Sequence, residues 1–277
     1  MSIEEIIHNA LMEDIGEGDH TTLSTVPFDA VKNARMIAKQ SGVICGTEIA
    51  AKVFQTLDPN LTVEILRHDG EFVVSGDVIL RVSGNAQFIL TGERTALNFI
   101  QRMSGIATTT HFLTKKTEGT KVKLLDTRKT TPLLRELEKY AVQCGGGNNH
   151  RFGLFDMMLI KDNHVDFAGS IKAAILSAND YLTTLGKPLQ IEIEVRNFSE
   201  LQEALQTGNI HRIMLDNFTP EQIRTALTMI DGKYSVEASG GITEENIRQY
   251  AETGVDYISI GALTHHIKSL DISLLAD

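Results

Sequence analysis

Apolar residues in the first part of the chain recur with two different periods. Ile3, Ile7 and Leu11 recur at helical spacing, which predicts an amphipathic helix that ends at the glycines following it. Further along, the patterns predict strands at residues 34–39, 61–66 and 78–82 and helices at residues 47–57 and 91–116. The irregular order of these elements predicts an α+β layer.

From about residue 121 onward, short apolar strands alternate regularly with helices. The predicted strands are residues 122–125, 157–160, 191–195, 212–215, 235–238 and 257–260. The predicted helices between them include residues 132–143, 200–205, 220–229 and 244–253. This alternation implies parallel strands covered by helices, in either a barrel or an open doubly wound sheet.

The residues at the strand ends favour the barrel. Charged residues or glycine arrive as the strands stop, at Asp126, Lys161, Glu194, Asp216, Glu237 and Gly261. In a β/α barrel the carboxyl ends of all strands converge on one face, and that face carries the active site. Six recognisable strands are fewer than the usual eight, so we expect an incomplete or open barrel, with one more strand at residues 270–274 beyond it.

The composition excludes several classes of function. A net charge of −10 argues against nucleic acid as the main partner, and 6% aromatic residues without Trp argue against a stacking surface for single strands. The sequence has no signal-peptide pattern and no apolar run of membrane length, so we expect a cytoplasmic protein without a membrane partner. Cys45 and Cys144 lack a paired spacing and are expected to be reduced thiols, not a bridge or a ligand set.

Five cationic or potentially cationic side chains are concentrated in one short region of this acidic chain. They are Arg128, Lys129, His150, Arg151 and Lys161. Two adjacent cations alone are most simply explained as solvated loop charges, but the whole group indicates a ligand with several negative charges. Arginine makes bidentate contacts with phosphate or carboxylate, and lysine supplies a point charge.

The segment Asp-Thr-Arg-Lys-Thr-Thr-Pro at residues 126–132 predicts a position for two of these cations. Thr131 can cap a helix and Pro132 suits its first position. Arg128 and Lys129 are therefore expected beside a helix N-terminus, which favours anions. The three consecutive glycines after that helix allow either close approach to a ligand or a helix C-cap, and both interpretations remain open.

Acidic residues are expected to share this site. Glu192 and Glu194 are two residues apart, so they face the same side of their strand, and we expect that side to point inward with the cations. Asp216 ends the next strand at the same level. Such carboxylates can stabilise a cationic carbon centre, hold Mg²⁺ on a phosphate or balance the basic cluster, and these roles are not exclusive.

The loops after the last two barrel strands are rich in small residues. They contain Ser239, Gly240, Gly241 and Gly261. Loops in this position of a barrel often bind phosphate through backbone N–H groups. The pattern predicts a site for a monophosphate, such as a 5-phosphate on a ribose.

These motifs together resemble the quinolinate phosphoribosyltransferase family nearly from end to end. The matching segments are residues 13–22, 93–98, 104–108, 126–132, 138–142, 145–151, 159–164, 237–242 and 261–264. The resemblance implies an α/β fold with an N-terminal α/β sandwich domain at residues 1–115 and an open, incomplete TIM-like β/α barrel at residues 116–265 that carries the active site. Residues 266–277 are a candidate for return to the first domain. It also implies a homodimer with shared active sites.

The resemblance implies a reaction as well. The family joins quinolinate to phosphoribosyl pyrophosphate (PRPP) with Mg²⁺, releases pyrophosphate and CO₂, and forms nicotinate mononucleotide in de novo NAD biosynthesis without an organic cofactor. By motif, the residues that contact the substrate anions are Arg128, Lys129, His150, Arg151 and Lys161, with Lys129 and Lys161 nearest the reacting atoms. The residues that face the ribose and Mg²⁺ are Glu194 and Asp216, although Glu192 fits the same pattern as Glu194 and this choice stays open. Those that hold the 5-phosphate are Ser239, Gly240, Gly241 and Gly261. Arg94 is implied to reach across the dimer to the neighbour's quinolinate site.

One position departs from the family pattern, and three alternatives stay open. Leu133 stands where the family usually has glycine, which stiffens the start of the predicted helix. The alternatives are the related molybdenum-operon protein of the same fold, nicotinate phosphoribosyltransferase, and an inactive barrel used as a scaffold. The intact sequence Ile-Lys-Asp-Asn-His at residues 160–164 argues against the first, and occupation of every charged position that the mechanism needs argues against the last.

Overall fold

The computed structural model describes all residues of the chain, 1–277, as eleven helices and twelve strands. The helices are α1 Ile3–Ile15, α2 His20–Thr25, α3 Thr47–Leu57, α4 Ala86–Lys116, α5 Arg135–Cys144, α6 Asp162–Ala168, α7 Ile171–Leu185, α8 Phe198–Thr207, α9 Pro220–Ile230, α10 Ile247–Ala251 and α11 Ala262–His265. The strands are β1 Val31–Ala38, β2 Gly42–Val43, β3 Thr62–Ile65, β4 Phe72–Val73, β5 Val78–Asn85, β6 Lys123–Leu125, β7 Met158–Ile160, β8 Ile191–Val195, β9 Arg212–Asp216, β10 Ser235–Ser239, β11 Tyr257–Ser259 and β12 Ile272–Ala276. None of the helices combines the length and the apolar character needed to cross a membrane.

The first compact unit is built around an antiparallel sheet. It comprises Met1–His111, Thr130–Gly146 and Leu263–Asp277, so it also takes in a segment that the sequence prediction assigned to the barrel. Its four strands lie in the order β12-β1-β5-β3. Strand β12 pairs with β1 in antiparallel register, with Ala34 opposite Ala276, so the end of the chain completes the sheet begun near its start.

The second compact unit comprises Phe112–Lys129 and Gly147–Ala262 and contains a parallel sheet. Its six strands lie in the order β6-β11-β10-β9-β8-β7, so the first two strands of the unit form its two edges. Only an isolated bridge between Leu125 and Asn148 lies beside β6 on its outer side, and no ladder joins β6 to β7. The predicted α/β fold class, with a parallel β/α unit that does not close fully, is confirmed.

The predicted start of helix α5 is wrong. The sequence placed it at Pro132 with Thr131 as its cap, but the helix begins at Arg135, and its N-cap residue Leu134 makes no side-chain capping bond. The reason lies at Leu133, whose φ of 68° is left-handed and incompatible with helix. Glycine adopts this conformation without strain, which explains the usual family residue at this position. The helix terminus therefore does not directly follow the basic loop.

The glycine run before His150 has a packing role in the first unit. Gly145 is the C-cap of α5, as one of the two open interpretations had it. A Cβ atom on Gly145 would collide with the carbonyl oxygen of Ala107 and lie 2.6 Å from Cβ of Thr110, so only glycine allows this approach to α4. Gly146 follows with a φ of 88°.

Candidate active site

A cavity of about 310 Å³ opens at the carboxyl ends of the parallel strands in the second unit. Its walls are formed by Thr127, Arg128, Lys129, His150, Arg151, Leu159, Lys161, Met214, Glu237, Ser239 and Ser259. All five cations that the sequence singled out are among them. The strand ends therefore bring together side chains that are scattered along the chain.

The cations differ in how far they reach solvent. Arg128, Lys129 and Lys161 are exposed, whereas Arg151 is half-buried and donates from Nη1 to the carbonyl oxygen of Met157 at 3.2 Å. Burial and the nearby charge of Arg128 lower the pKa of the Arg151 guanidinium. Cations that repel one another inside a cavity indicate a place for an anion.

His150 is buried and points away from solvent into a pair of carboxylates. Its Nε2 lies 3.0 Å from Oε2 of Glu192 and 3.4 Å from Oε2 of Glu237. Its backbone N–H donates to Oδ1 of Asp126 at 2.9 Å, which fixes the residue at the end of β6. His150 therefore lines the cavity on the side of the buried glutamates, and its ring nitrogen Nε2 contacts both of them.

Arg212 completes this buried cluster, which consists of His150, Glu192, Arg212 and Glu237. Its Nη1 lies 3.0 Å from Glu237 and 3.9 Å from Glu192, and its guanidinium lies 4.1 Å from the ring centre of Tyr257. Glu192 and Glu237 are fully buried, so their charges depend on these partners for stabilisation. Sequence reasoning did not single out Arg212, although its two-residue spacing from Met214 and Asp216 on β9 places all three on one face.

Two members of the buried cluster hold a proton more tightly than they would in water. Two carboxylates face one guanidinium, and although burial lowers the pKa of His150, the contacts with Glu192 and Glu237 outweigh it and raise that pKa to about 9. Burial and the charge of Glu237 likewise raise the pKa of Glu192 to about 7. The backbone N–H of Arg151 donates to Nδ1 of His150 at 2.7 Å, so in this geometry the proton shared with the carboxylates lies on Nε2, and the imidazolium forms only when Nδ1 gives up that contact.

The ligand atoms of His150, Glu192 and Glu237 lie within 4.8 Å of one another, which is a distance compatible with a metal ion. The guanidinium of Arg212 argues against that use, because it already lies 3.0 Å from Glu237. A cation beside a guanidinium is repelled. We therefore interpret these residues as a compensated ionic cluster.

A second set of charges, the mouth cluster of Lys161, Glu194 and Asp216, lies nearer the strand ends. Nζ of Lys161 lies 3.6 Å from Oε2 of Glu194. Burial raises the pKa of Glu194 more than Lys161 lowers it, and burial likewise raises the pKa of Asp216, whose Oδ2 accepts from Nδ2 of Asn217 at 2.7 Å. Both carboxylates lie closer to the carboxyl ends of their strands than Glu192 and Glu237 do.

The two glutamates of β8 are thereby distinguished. Both side chains point to the same side, as predicted, but Glu192 pairs with Arg212 in the sheet register and Glu194 pairs with Met214, closer to the mouth. Glu194 and not Glu192 contacts Lys161. Glu194 therefore lies nearer the strand ends than Glu192, but neither Glu194 nor Asp216 is among the cavity walls, and their role toward a ligand stays a prediction.

The loops predicted to bind phosphate follow adjacent strands. Gly240 and Gly241 have φ angles of 90° and 62°, and a Cβ atom on Gly240 would fall on the side-chain carbonyl oxygen of Asn217. Ser239 lines the cavity, whereas Gly240, Gly241 and Gly261 are not among its wall residues. Their predicted role stays a prediction, as does that of Arg94, which is an exposed residue of α4 in the first unit.

The fold and the cavity define an α/β enzyme that acts on a polyanionic small molecule. Models of two families match the chain: "Quinolinate phosphoribosyl transferase, C-terminal domain" matches residues 106–275, and the corresponding N-terminal domain matches residues 19–104. The chain belongs to the quinolinate phosphoribosyltransferase family.

Individual relatives agree with this assignment. The chloroplastic nicotinate-nucleotide pyrophosphorylase (carboxylating) of Arabidopsis thaliana is 42% identical over 99% of this chain and 83% of its own length. A Bacillus subtilis relative with the name "Probable nicotinate-nucleotide pyrophosphorylase [carboxylating]" is 42% identical over 99% of this chain and 93% of its own length. The solved structure of the nicotinate-nucleotide pyrophosphorylase of Francisella tularensis has a TM-score of 0.93 and 42% identity and covers 99% of this chain and 96% of that chain.

Proposed function

We propose that this chain catalyses the carboxylating reaction for which its family is named. It joins quinolinate to PRPP and yields nicotinate mononucleotide, pyrophosphate and CO₂, a step of de novo NAD biosynthesis. The observation that carries the proposal is the cavity at the strand ends, whose walls bring together Arg128, Lys129, His150, Arg151 and Lys161. Quinolinate brings two carboxylates and PRPP brings its phosphates, and this wall of cations suits ligands with several negative charges.

The chemistry can be written with bonds and charges in balance. The C–O bond between the ribose and pyrophosphate breaks, and the ring nitrogen of quinolinate forms a C–N bond to the same carbon. The nitrogen then carries a positive charge, which stabilises the electron pair that stays on the adjacent ring carbon as its carboxylate leaves as CO₂. The ring carbon finally takes one proton. Positioning and electrostatic stabilisation are sufficient for these steps.

The side chains of the site suit these charges. Lys129 and Lys161 are the cations proposed to lie nearest the reacting atoms, with Arg128 and Arg151 on the substrate anions. Glu194 and Asp216 are proposed to stabilise positive charge at the ribose carbon as pyrophosphate leaves. His150 is proposed to line the substrate site without a direct part in these steps, because its ring nitrogen Nε2 contacts the carboxylates of the buried cluster.

The mouth cluster also fits a magnesium ion that arrives with PRPP. Glu194 and Asp216 offer the oxygen ligands that Mg²⁺ prefers, and the raised pKa values of both carboxylates reflect burial that a cation would offset. When bound, the ion would neutralise phosphate charge. The phosphate of the ribose is proposed to lie on the loops containing Ser239, Gly240, Gly241 and Gly261.

The first experiment follows CO₂ released from ring-carboxyl-labelled quinolinate with PRPP and Mg²⁺, and repeats the assay without PRPP. Donor-dependent release is expected. Absence of release from folded protein would refute the proposal and favour the molybdenum-operon relative or an inactive barrel. Turnover of nicotinate in place of quinolinate would instead indicate nicotinate phosphoribosyltransferase activity.

We further propose that the active form is a cytoplasmic homodimer whose sites are shared, with Arg94 contributing to its neighbour's quinolinate site. The support is the family resemblance at residues 93–98 and the exposure of Arg94 on α4. Mixed dimers of Arg94→Ala and Lys161→Ala subunits are expected to regain activity, because one of the two sites then receives both intact residues. Activity no higher than that of either parent dimer would argue against a shared site.

A further inference from the structure

The two cysteines of the chain lie together in the first unit, beside a carboxylate. Cys45 and Cys144 are both free thiols. Their sulfur atoms and a carboxylate oxygen of Asp69 all lie within 4.8 Å of one another. The spacing of the cysteines in the sequence gave no indication of this, and the reaction proposed above makes no use of either sulfur.

The carboxylate of Asp69 is held in one orientation. Oδ1 accepts from the backbone N–H of Gly46 at 2.9 Å, the backbone N–H of Thr47 at 3.0 Å and the hydroxyl of Thr47 at 2.8 Å, all at the start of α3. Oδ2 makes none of these three bonds and lies 4.0 Å from Sγ of Cys45. Outer hydrogen bonds that fix a ligating side chain are typical of metal sites.

Both thiols are also held in place by α4. The backbone N–H of Cys45 donates to Oγ of Ser104 at 3.0 Å, and the Ser104 hydroxyl donates to the carbonyl oxygen of Cys45 at 3.1 Å. Cys144 is the last residue of α5, and Gly145 after it packs against α4 so closely that a Cβ atom would lie 2.6 Å from Cβ of Thr110. The same helix therefore positions both sulfurs.

One side of the group faces solvent. Cys45 is buried, but Cys144 and Asp69 are half-buried. The hydroxyl of Tyr140 is close enough to Cys144 and Asp69 to affect the pKa of the Cys144 thiol, and the Tyr140 residue is 44% exposed. An ion can therefore enter beside Tyr140, whose hydroxyl can donate to a thiolate.

The electrostatic surroundings of the two thiols differ. Reactive cysteines sit in electropositive surroundings that stabilise the thiolate. Here the contact with Cys144, burial and the charge of Asp69 all raise the pKa of the Cys45 thiol, whereas the contacts with Cys45 and Tyr140 outweigh burial and lower the pKa of the Cys144 thiol. A carboxylate beside two thiols hinders attack by a thiolate on a disulfide, whereas it adds negative charge where a divalent cation would lie.

We propose that Cys45, Cys144 and Asp69 bind a divalent cation of the zinc class. Two thiolates and one carboxylate oxygen are ligands that Zn²⁺ accepts, and water from the exposed side would fill the fourth position. Binding displaces both thiol protons to solvent. The ion would tie the end of α5 to the loop at the start of α3, which is a structural role outside the active-site cavity.

The test uses the whole chain, reduced and treated with chelator, under anaerobic conditions. Titration with Cd²⁺ alone is expected to give a thiolate-to-cadmium charge-transfer band in the ultraviolet, with release of protons, and added Zn²⁺ is expected to remove the band. Either ion should raise Tm, because it binds the folded state. A folded, reduced chain that gives no band overturns the proposal.

Substitutions assign the ligands. Cys144→Ser is expected to abolish the band, and Asp69→Asn to weaken Cd²⁺ binding by about 10-fold or more. The matched control is Glu71→Gln, which removes an acidic group from the same loop and should leave affinity unchanged. If Asp69→Asn does not fold, Tyr140→Phe replaces it, with an expected loss of about 10-fold from the missing outer hydrogen bond.

Two results contradict the proposal. Undiminished Cd²⁺ affinity in folded Asp69→Asn would remove the carboxylate from the site. A chain that forms a Cys45–Cys144 disulfide in air and binds no Cd²⁺ after reduction would hold a redox pair instead of a cation site.

Discussion

The parallel sheet carries charge at two depths, and the two depths are built in different ways. In the buried cluster, Glu192 and Glu237 are fully buried and are matched by Arg212 and His150 at 3.0–3.9 Å. In the mouth cluster, the Lys161 side chain is 48% exposed and lies 3.6 Å from Glu194. On β8, Glu192 therefore belongs to a buried group of charges, whereas Glu194, two residues further along, lies beside an exposed lysine.

The difference shows how an active site obtains usable charge. Charges that satisfy one another fix the geometry of the strands but have little left for a ligand. Charges at the mouth are partly desolvated and incompletely matched, so a polyanionic ligand can complete them. We expect substitutions in the buried cluster to change stability and substitutions in the mouth cluster to change turnover.

The largest expected effect is the loss of stability in Arg212→Met. Removal of the guanidinium leaves two buried carboxylates without their main partner, which should lower the free energy of unfolding by about 3–5 kcal/mol. Urea unfolding measures it. The control is Arg196→Met, which breaks exposed ion pairs with Asp166 and Glu200 and should cost far less. Equal losses in the two variants would erase the distinction between the depths.

Next in size is the loss of turnover in Lys161→Ala. Removal of a cation proposed to lie near the reacting atoms should lower kcat by about 100-fold or more, while the free energy of unfolding changes little. Lys129→Ala should behave in the same way. Steady-state CO₂ release and urea unfolding of the same preparations measure both quantities. Lys187→Ala, at an exposed lysine of the same unit, is the control, and near-normal turnover in both site variants would contradict the role of the cations.

The pH dependence of stability should come from the buried cluster. The pKa of His150 is raised from 6.5 to about 9. Its contribution to the free energy of unfolding is therefore fully present below pH 6.5 and is lost as the pH rises through about 9. The free energy of unfolding should fall by about 2–3 kcal/mol over this interval. Glu237→Gln removes the charge that requires the shared proton and should flatten the profile, whereas Glu194→Gln should retain it. An unchanged slope in Glu237→Gln would contradict this origin.

The smallest expected effect concerns Ser259, which lies between the cavity and the buried cluster. Ser259 lines the cavity, and its hydroxyl helps to lower the pKa of Glu237 in the buried cluster. Ser259→Ala should lower the free energy of unfolding by about 1 kcal/mol through loss of this interaction. Ser235→Ala on the neighbouring strand is the control, because Oγ of Ser235 donates to the carbonyl oxygen of His211 in an exposed hydrogen bond. If Ser259→Ala changed turnover and left the free energy of unfolding unchanged, Ser259 would act on the substrate, like the mouth cluster, and not on the buried cluster.

Much of the fold and of the cation cluster followed from sequence because both depend on local patterns. Apolar runs with helices between them predicted the parallel sheet, and the charges at the strand ends predicted which side chains would meet. The two glutamates of β8 could not be separated in this way. Parity gives the side of a strand, whereas the depth of Glu192 depends on its register with Arg212, which is a property of the assembled sheet.

The errors and omissions also have physical causes. The start of α5 was placed too early because Thr131 and Pro132 have the composition of a helix start, while the left-handed backbone of Leu133 is not visible in the residue type. The contact between Cys45 and Cys144 was not foreseen, because it depends on two helices and a loop that meet only in the tertiary structure.

The pairing of β12 with β1 has a consequence for synthesis of the chain. The first unit consists of three separate segments of the chain, and its last strand, Ile272–Ala276, is synthesised after the whole second unit. Until then, β1 lacks the neighbour that covers one of its edges, and an uncovered edge can pair with another chain. The sheet that is begun first is therefore completed last.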